Sequence, residues 1–500
     1  MGIIRKQSIT SSFIIYTGFF IGAINTWLFT TGHYFTAAEY GLIGILLNIA
    51  QYFFALANLG TIPVLYRFYP YYRDNLPLEK RDLFGKAVII AIVGFVAVCL
   101  CSFLFKDLVV TKFGTNSPLL IKYFYTIYPL SLFLLLFSLL EAQAWNHFAS
   151  VAANFQKELV MRLFTSFLII LFLFKVLNYE GFINLFSFVY AFIFLGLLIY
   201  LYRKGQISFT LKTSVVTRRL RKKMLSLGTF VYIVALFTIL AKNFDNFIIS
   251  SVLGLAQNGI FTFASYITST MEGPQRGLIA VSVPVIAQAW KDKDMKRIES
   301  IYRKTALNML LFSCFLFGLI WLNYHNAFEI LNINRSYLEG QNVLLLLGLT
   351  KIVELGTGVN AQIIVTSRYW KVDLVTTAAL LCILIPLNYL LIKRYGIDGS
   401  AAASLIAYII FNLIRYVFIW VKFKMQPFTW RNAAVIVITV IGYWAAHSLI
   451  KMPSVLLDAI VQSTVYVVVC AALIIPLRVS DDLNRLYALG LERVKRVLGR

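Results

Sequence analysis

Residues 160–202 read VMRLFTSFLIILFLFKVLNYEGFINLFSFVYAFIFLGLLIYLY, and this stretch decides the fold class. It holds two solid apolar runs, 160–178 and 183–202, separated by one short polar turn. A helix of roughly 20 mostly apolar residues is long enough to cross the hydrocarbon core of a bilayer. The strands of outer-membrane barrels alternate instead between apolar and polar residues over about 10 positions. The stretch therefore predicts two successive transmembrane helices.

The composition extends this interpretation to the whole chain. Of its 500 residues, 60% are hydrophobic and only 14% are charged, and the mean hydropathy is +0.78. Soluble domains carry roughly 25% charged residues, so this composition excludes a soluble globular enzyme and a disordered chain. Apolar runs recur to the end of the sequence, which also excludes a protein held by a single anchor.

Apolar runs between charged clusters predict an all-α integral membrane protein with about fourteen transmembrane helices. The first seven lie near 9–30, 40–62, 87–105, 121–141, 160–178, 183–202 and 226–250. The other seven lie near 258–288, 305–324, 342–364, 372–392, 400–421, 433–450 and 456–477.

The distribution of basic residues predicts the orientation of these helices. With the N-terminus inside, 34 of the 46 Lys and Arg residues fall in inner segments, 8 in outer segments and 4 within spans. Cytoplasmic loops carry an excess of Lys and Arg, so both termini are expected in the cytoplasm. The same use of the basic residues accounts for the net charge of +24 without a nucleic-acid partner.

Loop lengths and charge predict five segments. They are an N-terminal lobe (1–203), a basic cytoplasmic linker (204–225), a C-terminal lobe (226–421), two extra spans (422–478) and an amphipathic cytoplasmic tail (479–500). The sequences of the two lobes are weakly similar: Tyr40-Gly41 begins span two, and Asn258-Gly259 begins span eight. Repeated halves are typical of secondary transporters, whose substrate site lies between the repeats.

Several charged residues fall within the apolar runs. They form three pairs at one-turn spacing: Lys242 with Asp245, Glu272 with Arg276, and Lys351 with Glu354. A charge at the middle of a bilayer costs at least about 2.5–3.5 kcal/mol, so such residues face a partner or a hydrated cavity. A simple internal salt bridge is an equally good interpretation of any one pair. Glu141 and Arg415 are interpreted as residues near a membrane face, with long side chains that reach it.

Polar residues also form stripes along apolar helices. Asn48, Gln51 and Asn58 share one face of span two, and Thr238 lies on the same face of span seven as Lys242. Several such stripes predict a shared hydrated cavity lined by spans one, two, seven and eight. Within span eight, Gly273-Pro274 predicts a break, because proline removes a backbone donor.

Motifs for catalysis are missing from the sequence. The five cysteines lie in apolar runs and the four histidines are scattered, which suggests neither a disulfide framework nor a metal site. There is no GxxxxGK[ST] motif for ATP hydrolysis, and the outer loops hold no His/Asp/Glu cluster. An enzyme is therefore not expected, and neither is a bound cofactor.

Short motifs along most of the chain resemble those of a known family. They are YGL at 40–42, LG at 59–60, RFYP at 67–70, DNFII at 245–249, LG at 253–254, NGIF at 258–261, LNY at 387–389 and RYGIDGSAA at 394–402. With these motifs the chain resembles polysaccharide (Wzx-like) flippases of the multidrug, oligosaccharidyl-lipid and polysaccharide exporter superfamily.

The resemblance implies a fold and a function. The fold is two six-helix lobes related by a pseudo-two-fold axis, with two extra C-terminal helices. The function is to move an undecaprenyl-pyrophosphate-linked oligosaccharide to the outer leaflet of the bacterial cytoplasmic membrane by alternating access. Expected partners are this lipid-linked substrate, membrane lipid and a polysaccharide polymerase or glycosyltransferases, and the expected state is a monomer.

This function assigns a role to each polar residue of the spans. Lys242, Arg276 and Lys351 are candidates to bind the pyrophosphate, since basic side chains bind phosphate as charges or as bidentate donors. Candidates to bind sugar hydroxyls are Asn25, Asn48, Gln51, Asn58 and Thr238. Asp245, Glu272 and Glu354 would hold the cations in the empty site, and their exchange offers a route for coupling to H⁺ or Na⁺.

Other functions stay open at this point. A cation-coupled exporter of small drugs would need a compact, mostly acidic cavity, whereas this chain offers as many basic as acidic candidates. A lipid II flippase of the same superfamily carries several arginines in its first two spans, but here only Arg67 lies there, at the inner end of span two. A membrane polymerase or glycosyltransferase should show a large outer loop, and a scaffold for polysaccharide assembly is a further alternative.

Overall fold

The computed structural model describes residues 2–32, 34–448 and 452–485, without the side chains of residues 2–9, 12, 276 and 280. It is 85% helical and has no β-strand among these residues, which confirms the all-α prediction. The first helices are α1 Gly2–Thr30, α2 Ala37–Ala57, α3 Thr61–Asn75, α4 Leu83–Leu104, α5 Lys106–Phe113, α6 Pro118–Lys122, α7 Ile127–Asn146, α8 Ser150–Asn154, α9 Met161–Leu173, α10 Tyr179–Phe186 and α11 Val189–Arg203. They continue with α12 Val215–Val252, α13 Leu255–Ser269, α14 Gly273–Lys291, α15 Met295–Leu322, α16 Tyr324–Ile330, α17 Gln341–Gly356, α18 Asn360–Thr366, α19 Lys371–Phe423, α20 Trp430–His447 and α21 Val455–Ile474.

Many of these helices can cross a membrane. Among the described residues, nine are long and apolar enough, or up to ten if the bent pair of segments 335–356 and 360–366 is one span. Each of the fourteen apolar runs overlaps a helix, but the count of fourteen spans stays a prediction. Two of the predicted spans lie within the segment α19, which Gly396, with non-helical φ and ψ of 61° and −139°, divides into two helices.

The helices are interrupted at residues that disfavour a continuous helix, proline and glycine. Between α13 and α14 the chain forms a 3₁₀ turn, Thr270–Glu272, which confirms the break predicted at Gly273-Pro274. Between α2 and α3, Gly60 adopts φ 76°, a left-handed conformation that glycine reaches at little cost. The Asn58 side chain accepts hydrogen bonds from the Thr61 hydroxyl at 2.7 Å and the Ile62 amide at 3.3 Å, which stabilises this turn.

The helices form two compact units. Unit 1 comprises Met1–Phe263 together with Leu384–Ser400, and unit 2 comprises Ala264–Ile383 and Ala401–Arg500. The predicted lobe boundaries, 1–203 and 226–421, stay predictions. Of the predicted tail, residues 486–500 lie outside the described residues.

Helix α2 is the centre of unit 1. Seven consecutive residues, 40–46, are buried on every side of this helix, which packs against α4, α7 and α12. A helix that is apolar all round is expected in the interior of a bundle. This central part of α2 therefore contacts neighbouring helices of unit 1.

Two glycines bring α2 and α13 into backbone contact. A Cβ on Gly41 would overlap the carbonyl of Leu255, and a Cβ on Gly259 would overlap the carbonyl of Ala37. Each glycine thus faces the carbonyl four residues before the other glycine. The crossing is reciprocal, as expected if Tyr40-Gly41 and Asn258-Gly259 are corresponding positions of two repeats. Small residues allow such close approach between membrane helices.

Replacing Gly259 by alanine is expected to destabilise the protein by about 3 kcal/mol, since overpacking against a backbone atom has little room to relax. Thermal unfolding in detergent measures the effect. The matched control is Gly277→Ala in α14, where an added Cβ meets no atom within 4 Å. That change should leave stability equal or raise it by up to about 1 kcal/mol, because alanine favours helix more than glycine does. Equal melting temperatures for the two variants would contradict the close crossing.

Unit 2 has its main core between α15, α20 and α21. Leu310 and Cys314 from α15 pack with Ile438 from α20 and with Tyr466 and Cys470 from α21. The Tyr466 hydroxyl is buried and donates to the Phe315 carbonyl at 3.2 Å. The predicted extra spans are therefore integral parts of the core of unit 2.

Candidate functional site

The clearest charged cluster lies in unit 2 and centres on Lys351 of α17. Its ammonium is 2.5 Å from a carboxylate oxygen of Glu272 and 2.9 Å from one of Glu354. All three side chains are largely buried, with exposures of 21% for Lys351, 17% for Glu272 and 30% for Glu354. We call these three residues the Lys351 triad. One cation between two carboxylates leaves the triad with a net charge of −1.

The triad only partly follows the predicted pairs. Lys351 and Glu354, three residues apart on α17, do pair, as expected from helix geometry. Glu272 reaches the same lysine from the 3₁₀ turn before α14, a contact that sequence spacing did not predict. The side chain of Arg276, its predicted partner, lies outside the described residues.

A second buried ion pair in unit 2 joins the two helices of α19 that Gly396 separates. The Arg415 guanidinium contacts Asp373 through Nη2, donates to the Thr376 hydroxyl at 3.2 Å and lies 4.0 Å from the centre of the Phe411 ring. The Arg415 side chain is only 8% exposed. The interpretation of Arg415 as a residue reaching a membrane face is therefore wrong. Its partner Asp373 lies 42 residues away in sequence, so spacing along one turn could not identify it.

Polar contacts connect the triad with α19. Asn412, one turn before Arg415, accepts hydrogen bonds from Thr357 and Asn360, each at 3.0 Å. These two donors flank the break between α17 and α18, where Gly358 has φ 62°. Thr357 also donates to the backbone carbonyl of Glu354 at 2.9 Å. Unit 2 thus contains a continuous polar path from the triad to α19.

In unit 1 the predicted pair of Lys242 and Asp245 does not form. Asp245 is buried and accepts hydrogen bonds from Asn388 and from Ser400, the latter at 3.3 Å. Lys242 is exposed and makes no ion pair with the residues that the structure describes. The pairing prediction is wrong because the two side chains, although one turn apart, leave the helix toward different surroundings.

The predicted sugar-binding residues divide into two groups. Asn25 and Asn58 are buried and use their amides within the fold: Asn25 donates to the Arg162 carbonyl at 2.9 Å and accepts from Ser166 at 2.5 Å. Gln51 is half-buried and accepts from Asn243 of α12 at 3.0 Å. Asn48 is half-buried and forms no hydrogen bond with described residues, and Thr238 is exposed and donates only to its own helix.

Among the further ion pairs of unit 1 that sequence analysis missed is one beside helix α1. Glu158 and Arg162 pair at 3.1 Å, with exposures of 13% and 19%. Glu158 lies in a π-helical segment, Phe155–Val160, and π-helical segments are frequent at functional sites. Helix α1 comes so close that a Cβ on Gly18 would lie 2.5 Å from the Glu158 carbonyl. The spacing of four residues is the signal that could have identified this pair.

The amino-acid sequence matches a known family. Residues 5–290, more than half of the chain, match the family described as "Polysaccharide biosynthesis protein". The chain belongs to this family. No curated protein matches the chain.

Several solved structures are similar in fold to this chain over most of its length. The lipid II flippase MurJ in an inward closed conformation has a TM-score of 0.71 at 16% identity, covering 94% of this chain and 99% of that one. An inward-facing multidrug resistance MATE family transporter of the MOP superfamily has a TM-score of 0.64 at 14% identity, covering 83% and 98%. The Vibrio cholerae MATE transporter VcmN in the bent form has a TM-score of 0.55 at 12% identity, covering 85% and 100%.

The comparisons confirm the resemblance stated from the sequence motifs. The fold is the all-α fold of the matched flippase and transporters. The proteins with matching structures are transporters by name and not enzymes, in agreement with the prediction that the chain is not an enzyme.

Proposed function

We propose that this protein flips an undecaprenyl-pyrophosphate-linked oligosaccharide from the inner to the outer leaflet of the bacterial cytoplasmic membrane, with both of its termini in the cytoplasm. The observation that carries the proposal is the Lys351 triad, which holds a cation between two carboxylates inside a helical unit of a membrane protein. Membership of the polysaccharide biosynthesis family and the exporter fold support the same function.

The physical problem for such a substrate is its hydrophilic head. Each sugar hydroxyl costs roughly 2–7 kcal/mol in hydrocarbon without a hydrogen-bond partner, so unassisted crossing is negligible. A protein must replace water for the head group while the prenyl tail remains in lipid. In unit 1, Asn48, Gln51 and Thr238 are the candidates for this role, because Asn25 and Asn58 already use their amides within the fold.

Cationic side chains are needed for the pyrophosphate. Lys351 would exchange a carboxylate of its triad for a phosphate oxygen, so the empty and loaded states would have different partners. Lys242, exposed on α12, adds a point charge, and Arg276 of α14 is the candidate for bidentate binding.

Export also needs a source of free energy that drives the substrate outward. Moving two negative charges outward through a membrane that is negative inside gains roughly 4–5 kcal/mol per 100 mV if they cross the whole field. Asp245 offers a second source of energy, since a buried carboxylate beside an amide and a hydroxyl can bind H⁺ or Na⁺. Alternating access would couple these steps to transport.

The test is the appearance of the lipid-linked oligosaccharide on the outer surface of spheroplasts, read with a non-permeant lectin in a strain that lacks this protein. Wild-type complementation should restore it. The double variant Lys242→Ala/Arg276→Ala should lower it at least about 100-fold, since each charged hydrogen bond contributes about 1.5–3 kcal/mol. The control is Lys204→Ala/Lys212→Ala, with the same loss of charge at exposed linker positions. Full activity of the first variant at normal protein level would contradict these two phosphate sites.

Membrane vesicles prepared from the complemented strain separate the remaining functions. Uptake of organic cations without exposure of lipid-linked sugar would identify a drug exporter. Exposure of lipid II, and not of the oligosaccharide, would identify a peptidoglycan-precursor flippase. Either result would replace the proposed function.

A further inference from the structure

Unit 2 has a polar cavity away from the Lys351 triad. Its volume is about 420 Å³, and it opens where α15 and α20 begin and just beyond the end of α21. Four basic side chains line it: Lys296, Arg303, Lys304 and Arg431. We call it the basic cavity.

The acidic residues of the basic cavity are already engaged. Glu299 pairs with Arg303 at 2.7 Å, and Asp481 pairs with Arg431 at 3.1 Å. Asp482 accepts a hydrogen bond from the Asn308 amide at 2.7 Å. The carboxylates therefore offer little remaining attraction for a cationic ligand.

Two lysines supply the uncompensated charge. Lys296 and Lys304 are exposed and form no ion pair with the part of the chain that the structure describes. They lie on one face of α15 with Ser300, since residues four apart are neighbours on a helix. Arg303 donates to Gln426 and Glu299 through Nε and Nη2, so these two contacts do not use its Nη1 donors. The cavity is thus suited to an anion with several oxygens.

The position of the cavity points to a membrane lipid as the source of that anion. Trp430, in the cavity wall, is 64% exposed, and tryptophan favours the membrane–water interface. Next to the cavity, helices α15, α20 and α21 pack together in an apolar core that includes Leu307, Val435 and Ile474. A boundary between charged helix ends and an apolar core is expected at the depth of phospholipid head groups.

We propose that the basic cavity binds the phosphate head group of an anionic phospholipid, a ligand distinct from the transported substrate. Lys296 and Lys304 neutralise the phosphate, Arg303 donates to its oxygens, and Trp430 contacts the glycerol region. Basic recesses between membrane helices on the cytoplasmic side are suited to anionic lipids, and the charge bias of the loops predicts that side here.

The test uses the full-length protein in detergent, titrated with dioleoyl phosphatidylglycerol or dioleoyl phosphatidylcholine, with bound lipid counted by native mass spectrometry. The first phosphatidylglycerol should bind at least about tenfold more tightly than phosphatidylcholine. Lys296→Gln/Lys304→Gln should weaken it about 30-fold, and Lys296→Arg/Lys304→Arg should retain it.

The matched control is Lys291→Gln/Arg297→Gln, which removes two nearby exposed charges outside the cavity wall and should leave binding unchanged. Equal loss in this control, or wild-type binding by the Lys296/Lys304 glutamine variant, would overturn the site. Displacement of the lipid by millimolar glycerol 3-phosphate would show a site for soluble phosphate esters and overturn the lipid assignment.

Discussion

Replacing Lys351 by methionine is expected to abolish transport and to lower the free energy of unfolding by about 3 kcal/mol. The change leaves Glu272 and Glu354 facing each other without the cation that both contact. Breaking a buried ion pair by removing one partner typically costs about 3–5 kcal/mol, and partial exposure of the triad favours the lower value. Thermal unfolding and lectin binding to spheroplasts measure the two effects.

A structural role and a role in transport can be separated with two further variants. Lys351→Arg keeps the charge and should retain stability and part of the activity. The triple variant Lys351→Met/Glu272→Gln/Glu354→Gln removes all three charges and should recover stability without recovering transport. Normal transport by the triple variant would mean that the triad only holds helices together.

Replacing Asp373 by asparagine is expected to destabilise unit 2 by about 3–5 kcal/mol, and by more than replacing Arg415 by methionine does. The reason is that Arg415 is only 8% exposed and cannot lose its proton, so it would remain as an uncompensated buried charge. Asp373 is 17% exposed and lies in the first turn of α19, where the helix dipole favours a negative charge. The melting temperature of purified protein reports both changes.

The double variant completes a mutant cycle for this pair. Asp373→Asn/Arg415→Met should be more stable than Asp373→Asn alone, since no buried charge is left. Arg368→Met, at an exposed position near the same end of α19, is the control for loss of an arginine and should be near neutral. Simple additivity of the two single effects would contradict a direct ion pair.

Local features of the candidate site were predictable from sequence. The pair of Lys351 and Glu354 lies within one helical turn, and the break at Gly273-Pro274 follows from proline itself. Contacts between helices were not predictable. Glu272 reaches Lys351 from another helix, and Arg415 finds Asp373 across 42 residues, because helix packing alone decides which faces meet.

Helical geometry also explains the wrong pairing of Lys242 with Asp245. A separation of three residues places two side chains near one another but on faces about 60° apart. Here that angle is enough to bury Asp245 against Asn388 while Lys242 remains exposed. Periodicity limits which partners are possible, and the surrounding helices select among them.

The sequence by itself determined that this chain is a helical membrane protein with basic segments between its apolar helices, because hydrocarbon accepts only long apolar helices whose backbone groups are satisfied internally. Its motifs also indicated the polysaccharide family to which the chain belongs. Only the tertiary structure decided that Gly41 and Gly259 meet, that one lysine serves two carboxylates, and that Arg415 is buried in an ion pair. Such contacts depend on the packing of whole helices, and no residue's local neighbours in the chain contain that information.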